Sequence, residues 1–171
     1  LGVEASAYIS PSEALVYFRV KGIREENGTI LIPHKVIAKV SREEVLEKFV
    51  RPPAADAVQS LLSKGLITAE EAALAAKIPM ADDITAEADS GGHTDGRPMV
   101  SMLPALIALA NRKQAEFGYQ KKVRVGAGGG VGTGLSCLGA FEMGAAYVVT
   151  GSVNQACVES GTSDYVKEVL A

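Results

Sequence analysis

Short apolar segments alternate with segments of helical periodicity along this chain. The apolar segments predict five strands, at residues 3–9, 36–40, 84–88, 123–127 and 145–150. The periodic segments predict the main helices, at residues 12–21, 42–50, 98–116, 133–143 and 163–170. This alternation, strictest from residue 84 onward, is typical of parallel strands joined by right-handed crossovers, and it predicts an α/β fold.

The region between the second and third strands is longer than a simple crossover requires. Ser41 is predicted to cap the first helix here, and Thr68 with Glu71 forms a capping-box pattern for a later one. We interpret residues 42–79 as a helical insertion. Two roles remain open: a mobile lid or carrier-docking element over a substrate mouth, or a structural cap over a hydrophobic edge.

Glycine-rich turns follow the last two predicted strands. The strand at 123–127 leads into a run that contains Gly129 and Gly130, and the strand at 145–150 leads into Gly151 and Ser152. Glycine lets backbone amides approach a ligand closely, and amides at a helix start attract anions. These turns therefore predict a phosphate site, although a tight turn that needs glycine for shape alone is equally open.

The order of these turns favours a barrel over a dinucleotide-binding fold. In a (β/α)8 barrel, the loops after the last two strands often form a phosphate site, whereas no acidic residue ends the strand after the glycine run here. A complete barrel needs about 250 residues, and this chain has 171. We therefore expect the C-terminal part of a (β/α)8 TIM barrel from a larger protein, with the helical insertion inside it.

A third polar loop follows the strand at 84–88 and contains Ser90, Gly91, Gly92 and His93. Histidine is the side chain best suited to proton transfer near neutral pH. Alone, a loop histidine without chemistry is the simpler interpretation. Because two further ligand-like loops end strands of the same sheet, the loop is interpreted as part of an active site.

Composition and charge narrow the function classes. The net charge of −3 gives no basic surface for nucleic acid, and no apolar run is long enough to span a membrane. The two cysteines suit a reducing compartment, so a cytoplasmic location is expected. Several carboxylates lie near residues 82–89, but with one nearby histidine no metal site is expected.

Taken together, the motifs resemble those of the nitronate monooxygenase-like flavoproteins, which are FMN-dependent (β/α)8 barrels. The resemblance is stronger to one branch, the enoylreductase subunit of polyunsaturated fatty acid synthases and its counterpart in trans-acyltransferase polyketide synthases. It extends over nearly the whole chain. The stretches that carry it most specifically are EADSGGHTD at residues 87–95 and GSVNQ at residues 151–155.

The resemblance implies a role for each candidate residue. Gly129, Gly130, Gly151 and Ser152 would hold the FMN phosphate, and Lys39 would place a positive charge at the flavin or simply form a surface ion pair. On the substrate side, the implied residues are the catalytic His93 and the substrate-binding Ser90, Gly91 and Gly92.

The resemblance also implies the reaction and its partners. NADPH or NADH would reduce FMN. The reduced FMN would then reduce the 2,3-double bond of an enoyl thioester carried on acyl carrier protein. Synthase subunits would act in trans, and a homodimer is one option for assembly. The alternatives are a nitronate monooxygenase, which shares the fold and cofactor, and a non-enzymatic phosphate-binding module.

Overall fold

The structure, a computed structural model, describes residues 1–6, 10–92 and 94–170. In chain order, the strands of this part are β1 (Gly2–Ser6), β2 (Arg24–Glu26), β3 (Thr29–Leu31), β4 (Lys35–Val40), β5 (Asp83–Glu87), β6 (Arg124–Gly128) and β7 (Val148–Val149). The helices are α1 (Glu13–Val20), α2 (Glu43–Val50), α3 (Ala55–Ser63), α4 (Ala69–Ala75), α5 (Met99–Phe117), α6 (Gly134–Glu142), α7 (Ser152–Ala156) and α8 (Asp164–Leu170).

Five strands form one parallel sheet in the order β1-β4-β5-β6-β7, while β2 and β3 form a separate antiparallel hairpin. With the β2–β3 hairpin set aside, each strand of the large sheet therefore lies beside the strand that precedes it along the chain. A doubly wound sheet reverses its strand order at a switch point, whereas a barrel keeps chain order. The predicted barrel-type α/β fold is confirmed, and the described strands form part of a barrel.

One face of the sheet carries the hydrophobic core. Along β4, the buried residues Val36, Ala38 and Val40 alternate with partly exposed Ile37 and Lys39. The buried side faces α2 and α5, which pack against each other and against the strands. The other face carries polar side chains, so it is the face that positions chemical groups.

A buried ion pair joins α1 to the amino end of the sheet. The guanidinium of Arg19 donates to the carboxylate of Asp82 and to the carbonyl oxygens of Pro79, at 3.1 Å, and His34, at 2.9 Å. Asp82 also accepts from the amide of Val36 at 3.1 Å. Burial acts to raise the pKa of Asp82, but the charge of Arg19 and these hydrogen bonds outweigh it, and the pKa lies below its usual value.

The two predicted helix caps have different outcomes. Thr68 and Glu71 form the predicted capping box at the start of α4. The prediction for Ser41 is wrong, because α2 begins one residue later with Arg42 at the N-cap position and no side-chain cap. The Ser41 hydroxyl instead donates to Asp95, which lies far along the sequence.

The end of the chain differs from its predicted pattern. The sequence predicts the last strand over 145–150, but β7 contains only Val148–Val149. A short helix, α7, begins at Ser152 directly after the turn, where the sequence pattern predicts none. No helix of the described residues is long and apolar enough to cross a membrane.

Candidate functional site

A cavity of about 640 Å³ lies at the carboxyl ends of the parallel strands. Its lining comes from three loops, at residues 90–92, 128–132 and 149–153, and from side chains of the strands. Ligands of open and closed parallel sheets bind at this edge. The structure therefore brings together, around one cavity, the described candidate residues Lys39, Ser90, Gly91, Gly92, Gly129, Gly130, Gly151 and Ser152.

The glycine run after β6 has a backbone that other residues cannot adopt without strain. Gly129 and Gly130 have φ angles of 92° and 68°. A Cβ atom on Gly129 would lie 2.3 Å from the carbonyl oxygen of Ala88, so glycine is required there for packing. A Cβ on Gly130 would meet only Asp89, at 3.8 Å. The amides of residues 129–132 have no acceptor among the described residues, so they are available to a ligand.

The turn after β7 has more open space. A Cβ atom on Gly151 would meet nothing within 4 Å, but the φ and ψ angles of −115° and −89° lie outside the regions that other residues favour. Gly151 and Ser152 both line the cavity. The backbone conformation therefore accounts for glycine at position 151, and the space beside it is open toward the cavity.

A lysine between two carboxylates lies at the wall of the cavity. The Lys39 Nζ is 2.9 Å from Glu4 Oε1 and 3.7 Å from Glu87 Oε1, and all three residues line the cavity. The two interpretations of Lys39, ion pair and cofactor contact, are thus compatible. Sequence reasoning missed Glu4 as a site residue, although its position two residues into β1 places it on the polar face.

Below the cavity, a tyrosine lies flat against the sheet. The Tyr147 hydroxyl is 2.9 Å from Thr85 Oγ1, and its ring fills the space that a Cβ on Gly126 would occupy, at 2.4 Å. Burial raises the pKa of Tyr147 to about 12, so the phenol is neutral at physiological pH. Sequence reasoning missed this contact, although a glycine inside a strand indicates close approach by another group.

The loop after β5 contributes Ser90, Gly91 and Gly92 to the cavity lining. The predicted catalytic residue, His93, lies outside the described residues. Of the acidic side chains at residues 82–89, Asp83 lies at the opposite end of β5, where it forms a two-pronged pair with Arg124, at 2.6 and 2.7 Å. In the described part of the chain, no group of three metal-binding side chains comes together.

The helical segment at residues 55–76 does not lie over the cavity, and none of its described residues lines it. Helix α3 packs against α1 and α4, α4 also contacts β2, and the shared core includes Val58 and Leu74. The lid interpretation is therefore wrong, and the structural cap is what the packing supports. The physical reason is topological: α3 and α4 connect a helix to the next strand, and such connections emerge at the amino ends of strands, away from the cavity.

Comparison with known proteins finds relatives over nearly the whole chain, although no model of a protein family matches. The polyketide biosynthesis protein PksE of Bacillus subtilis is 48% identical over 169 residues, covering 98% of this chain and 22% of that protein. A polyunsaturated fatty acid synthase polypeptide of Thraustochytrium sp. is 48% identical over 172 residues, covering 99% of this chain and 12% of that protein.

Two solved structures give the same result for the fold. The crystal structure of the enoyl reductase domain of MlnA, from the macrolactin biosynthesis cluster of Bacillus amyloliquefaciens, superposes with a TM-score of 0.92 at 39% identity. It matches 98% of this chain, which spans 38% of that one. FabK from Thermotoga maritima shares the fold alone. It is 23% identical with a TM-score of 0.50, and the match covers 98% of this chain and 46% of that one.

The chain thus spans less than half the length of each of these relatives. Within that span, identity and fold agree. The resemblance drawn from the sequence motifs is confirmed: this chain is a homologue of segments of a polyketide biosynthesis protein and of a polyunsaturated fatty acid synthase subunit, with the fold of part of an enoyl reductase domain.

Proposed function

We propose that the protein catalyses FMN-dependent reduction of the 2,3-double bond of enoyl thioesters, with NADPH or NADH as the reductant. The observation that carries this proposal is the convergence of three glycine-containing loops on one cavity. The loops come from positions where a barrel presents its active site. The 39% identity to an enoyl reductase domain supports the choice of reaction.

The cavity fits the phosphate end of FMN. The amides of 129–132 lack acceptors among the described residues, and the open space at Gly151 leaves room for a ligand from the neighbouring strand. Gly129, Gly130, Gly151 and Ser152 would hold the phosphate through backbone groups. Once reduced by NADPH or NADH, bound FMN would supply the hydride that the β-carbon of the substrate accepts.

The side chains of the cavity wall would tune the bound cofactor. Lys39 carries a positive charge that Glu4 and Glu87 hold at the cavity wall. A cation there would stabilise negative charge on a flavin ring. Thr85 also lines the cavity, and its hydrogen bond to Tyr147 fixes the orientation of its hydroxyl.

The loop after β5 would act on the substrate. Reduction builds negative charge on the thioester oxygen and leaves the α-carbon in need of a proton. Ser90 and the amides of Gly91 and Gly92 line the cavity and can donate hydrogen bonds to that oxygen. His93, the next residue of the same loop, is proposed as the group that polarises the thioester or delivers the proton.

The proposal includes the delivery of the substrate. The relatives are a polyketide biosynthesis protein and a subunit of a polyunsaturated fatty acid synthase, which supports an enoyl chain carried on acyl carrier protein and brought by synthase subunits in trans. A cytoplasmic location belongs to the same proposal. A homodimer stays a prediction.

The test compares two glycines, one that lines the cavity and one that does not. Gly151 and Gly161 both leave open space where a Cβ would lie, and neither has a positive φ, but only Gly151 lines the cavity. We expect Gly151→Val in the intact protein to abolish FMN retention, because the branched side chain fills the phosphate position, while Gly161→Val keeps it. The flavin-to-protein ratio measured by absorbance decides between them.

The reaction is tested in the same preparation. NADPH consumption with a crotonyl thioester is compared with oxygen uptake with a nitronate. Consumption dependent on the enoyl thioester supports the proposal, and oxygen uptake with the nitronate alone would replace it by the monooxygenase. A wild-type protein that never binds flavin would leave the non-enzymatic phosphate-binding module.

A further inference from the structure

The loop between β5 and α5 is closed on itself by hydrogen bonds. We use the term β5–α5 loop for residues 89–92 and 94–97. The amide of Asp89 donates to the carbonyl oxygen of Arg97 at 3.0 Å, which closes the base of the loop. Within it, Thr94 Oγ1 donates to Asp89 Oδ1 at 3.0 Å and accepts from the amide of Gly96 at 3.2 Å. Residues 94–97, which lead from the cavity back to α5 and are called the returning arm, are therefore held by hydrogen bonds.

The returning arm is also tied to a different element. Asp95 accepts two hydrogen bonds from the Arg42 guanidinium, both at 2.9 Å, and a further one from the Ser41 hydroxyl. Arg97 donates to the carbonyl oxygen of Ser41 at 2.5 Å. These contacts all reach the corner between β4 and α2, two to three residues beyond Lys39. The β5–α5 loop and the wall of the cavity thus share one anchor.

The cavity-lining arm of the loop, residues 90–92, makes no comparable hydrogen bonds to the described residues. Gly91 and Gly92 are exposed, and a Cβ on either would meet nothing within 4 Å. Two consecutive glycines leave a backbone with many accessible conformations. The position of the cavity-lining arm therefore depends on where the returning arm is held.

We propose that Asp95 is a positioning residue, which holds the β5–α5 loop against the Ser41–Arg42 corner and so keeps Ser90, Gly91 and Gly92 at the cavity. Its hydrogen bonds go to that corner, and it does not line the cavity, so it acts through the loop. The catalytic consequence rests on the proposed function, whereas the anchoring itself does not.

A simple contribution to surface stability is the competing explanation. Exposed ion pairs add little to the free energy of unfolding, so a stability measurement alone would not separate a positioning role from a purely structural one. The chain offers a matched control in Asp83, which also makes a two-pronged pair with an arginine but joins two strands instead of a loop and a corner. Asp83 does not line the cavity.

The experiment compares Asp95→Asn, Arg42→Gln, their combination, and Asp83→Asn in the intact protein. Hydrogen exchange measured by mass spectrometry reports on the loop. We expect Asp95→Asn to speed exchange of the hydrogen-bonded amides of Asp89 and Gly96 by about tenfold, because the loop opens more often. Exchange in β5 stays unchanged, and Asp83→Asn leaves the loop at the wild-type rate. The combined variant exchanges no faster than the faster single variant, because both remove one interaction.

Kinetics with the enoyl thioester supply a second readout. We expect Asp95→Asn to lower kcat by about tenfold or more with little change in KM, because misplaced donors affect the transition state more than binding. Flavin content stays at the wild-type level. Asp95→Glu, which restores the carboxylate, recovers part of kcat.

Two results would overturn the proposal. One is loop exchange in Asp95→Asn that matches the wild type, and the other is equal effects of the Asp95 and Asp83 variants on the loop and on kcat. If the wild-type protein shows no enoyl reduction, the proposed function fails, while the exchange comparison still decides whether Asp95 holds the loop.

Discussion

The two ends of the parallel sheet handle charge in opposite ways. At the amino end, Arg19 and Asp82 are buried and are surrounded by partners from the same chain. At the carboxyl end, Lys39, Glu4 and the amides of 129–132 line an open cavity. Charged side chains at one end are enclosed within the fold, and charged side chains at the other end face a cavity.

This difference separates stability from function along a single set of strands. Barrels commonly place stabilising residues at the amino face and functional loops at the carboxyl face. Here the same strand β5 serves both ends, because its start is preceded by Asp82 and its end leads into Ser90. Variants at the two ends should therefore affect different measurements.

The largest effect is expected at the amino end. Asp82→Ala leaves the Arg19 guanidinium buried without its partner, and breaking such a pair costs about 3–5 kcal/mol of the free energy of unfolding. Asp83→Asn, one residue along, removes a more exposed pair and should cost about 0–1 kcal/mol. Denaturant unfolding of the intact protein checks both. Equal losses in the two variants would remove the distinction between the buried and the exposed pair.

A smaller loss is expected in the layer between the two ends. Gly126→Ala places a Cβ 2.4 Å from the Tyr147 ring, and overpacking of this kind costs about 1–3 kcal/mol. Combining it with Tyr147→Ala removes the ring and should make the glycine substitution nearly neutral. Unfolding of the two single variants and the double variant measures this coupling. An additive double variant would mean that the ring does not occupy this space in solution.

The smallest effect concerns pH at the carboxyl end. Hydrogen bonds from Arg42 and Ser41 lower the pKa of Asp95 from 3.8 to about 2. Since the folded pKa is depressed, the stabilisation from Asp95 is fully present above pH 3.8 and is lost as the pH falls through about 2. The loop anchor should therefore be unchanged at neutral pH and through the mildly acidic range. Carboxyl NMR titration checks the pKa, which should return toward its ordinary value in Arg42→Gln.

Local patterns predicted much of the architecture. Apolar segments indicated the order of the parallel strands, and Thr68 with Glu71 formed the capping box that their spacing predicts. The convergence of the three loops was also predictable, because carboxyl ends of parallel strands meet at one edge of a sheet. These features depend on residues close together in the sequence or on topology.

Long-range side-chain partners could not be predicted in this way. Ser41 has the residue type and spacing of a helix cap, yet Asp95 competes for its hydroxyl from 54 positions away. The ion pairs of Lys39 depend on register between strands β1, β4 and β5. The position of α3 and α4, by contrast, followed from chain order: they connect a helix to a strand, and the lid interpretation overlooked this.

The order of strands in the sheet also has a consequence for how the protein forms. Each strand of the large sheet pairs with the strand that precedes it in that sheet along the chain. During synthesis, every new β–α unit can therefore add to an edge that already exists, without waiting for a distant segment. The cavity, which needs loops that follow β5, β6 and β7, would then form only after β7 has joined the sheet. A ligand that binds there would select chains in which β5, β6 and β7 are already paired.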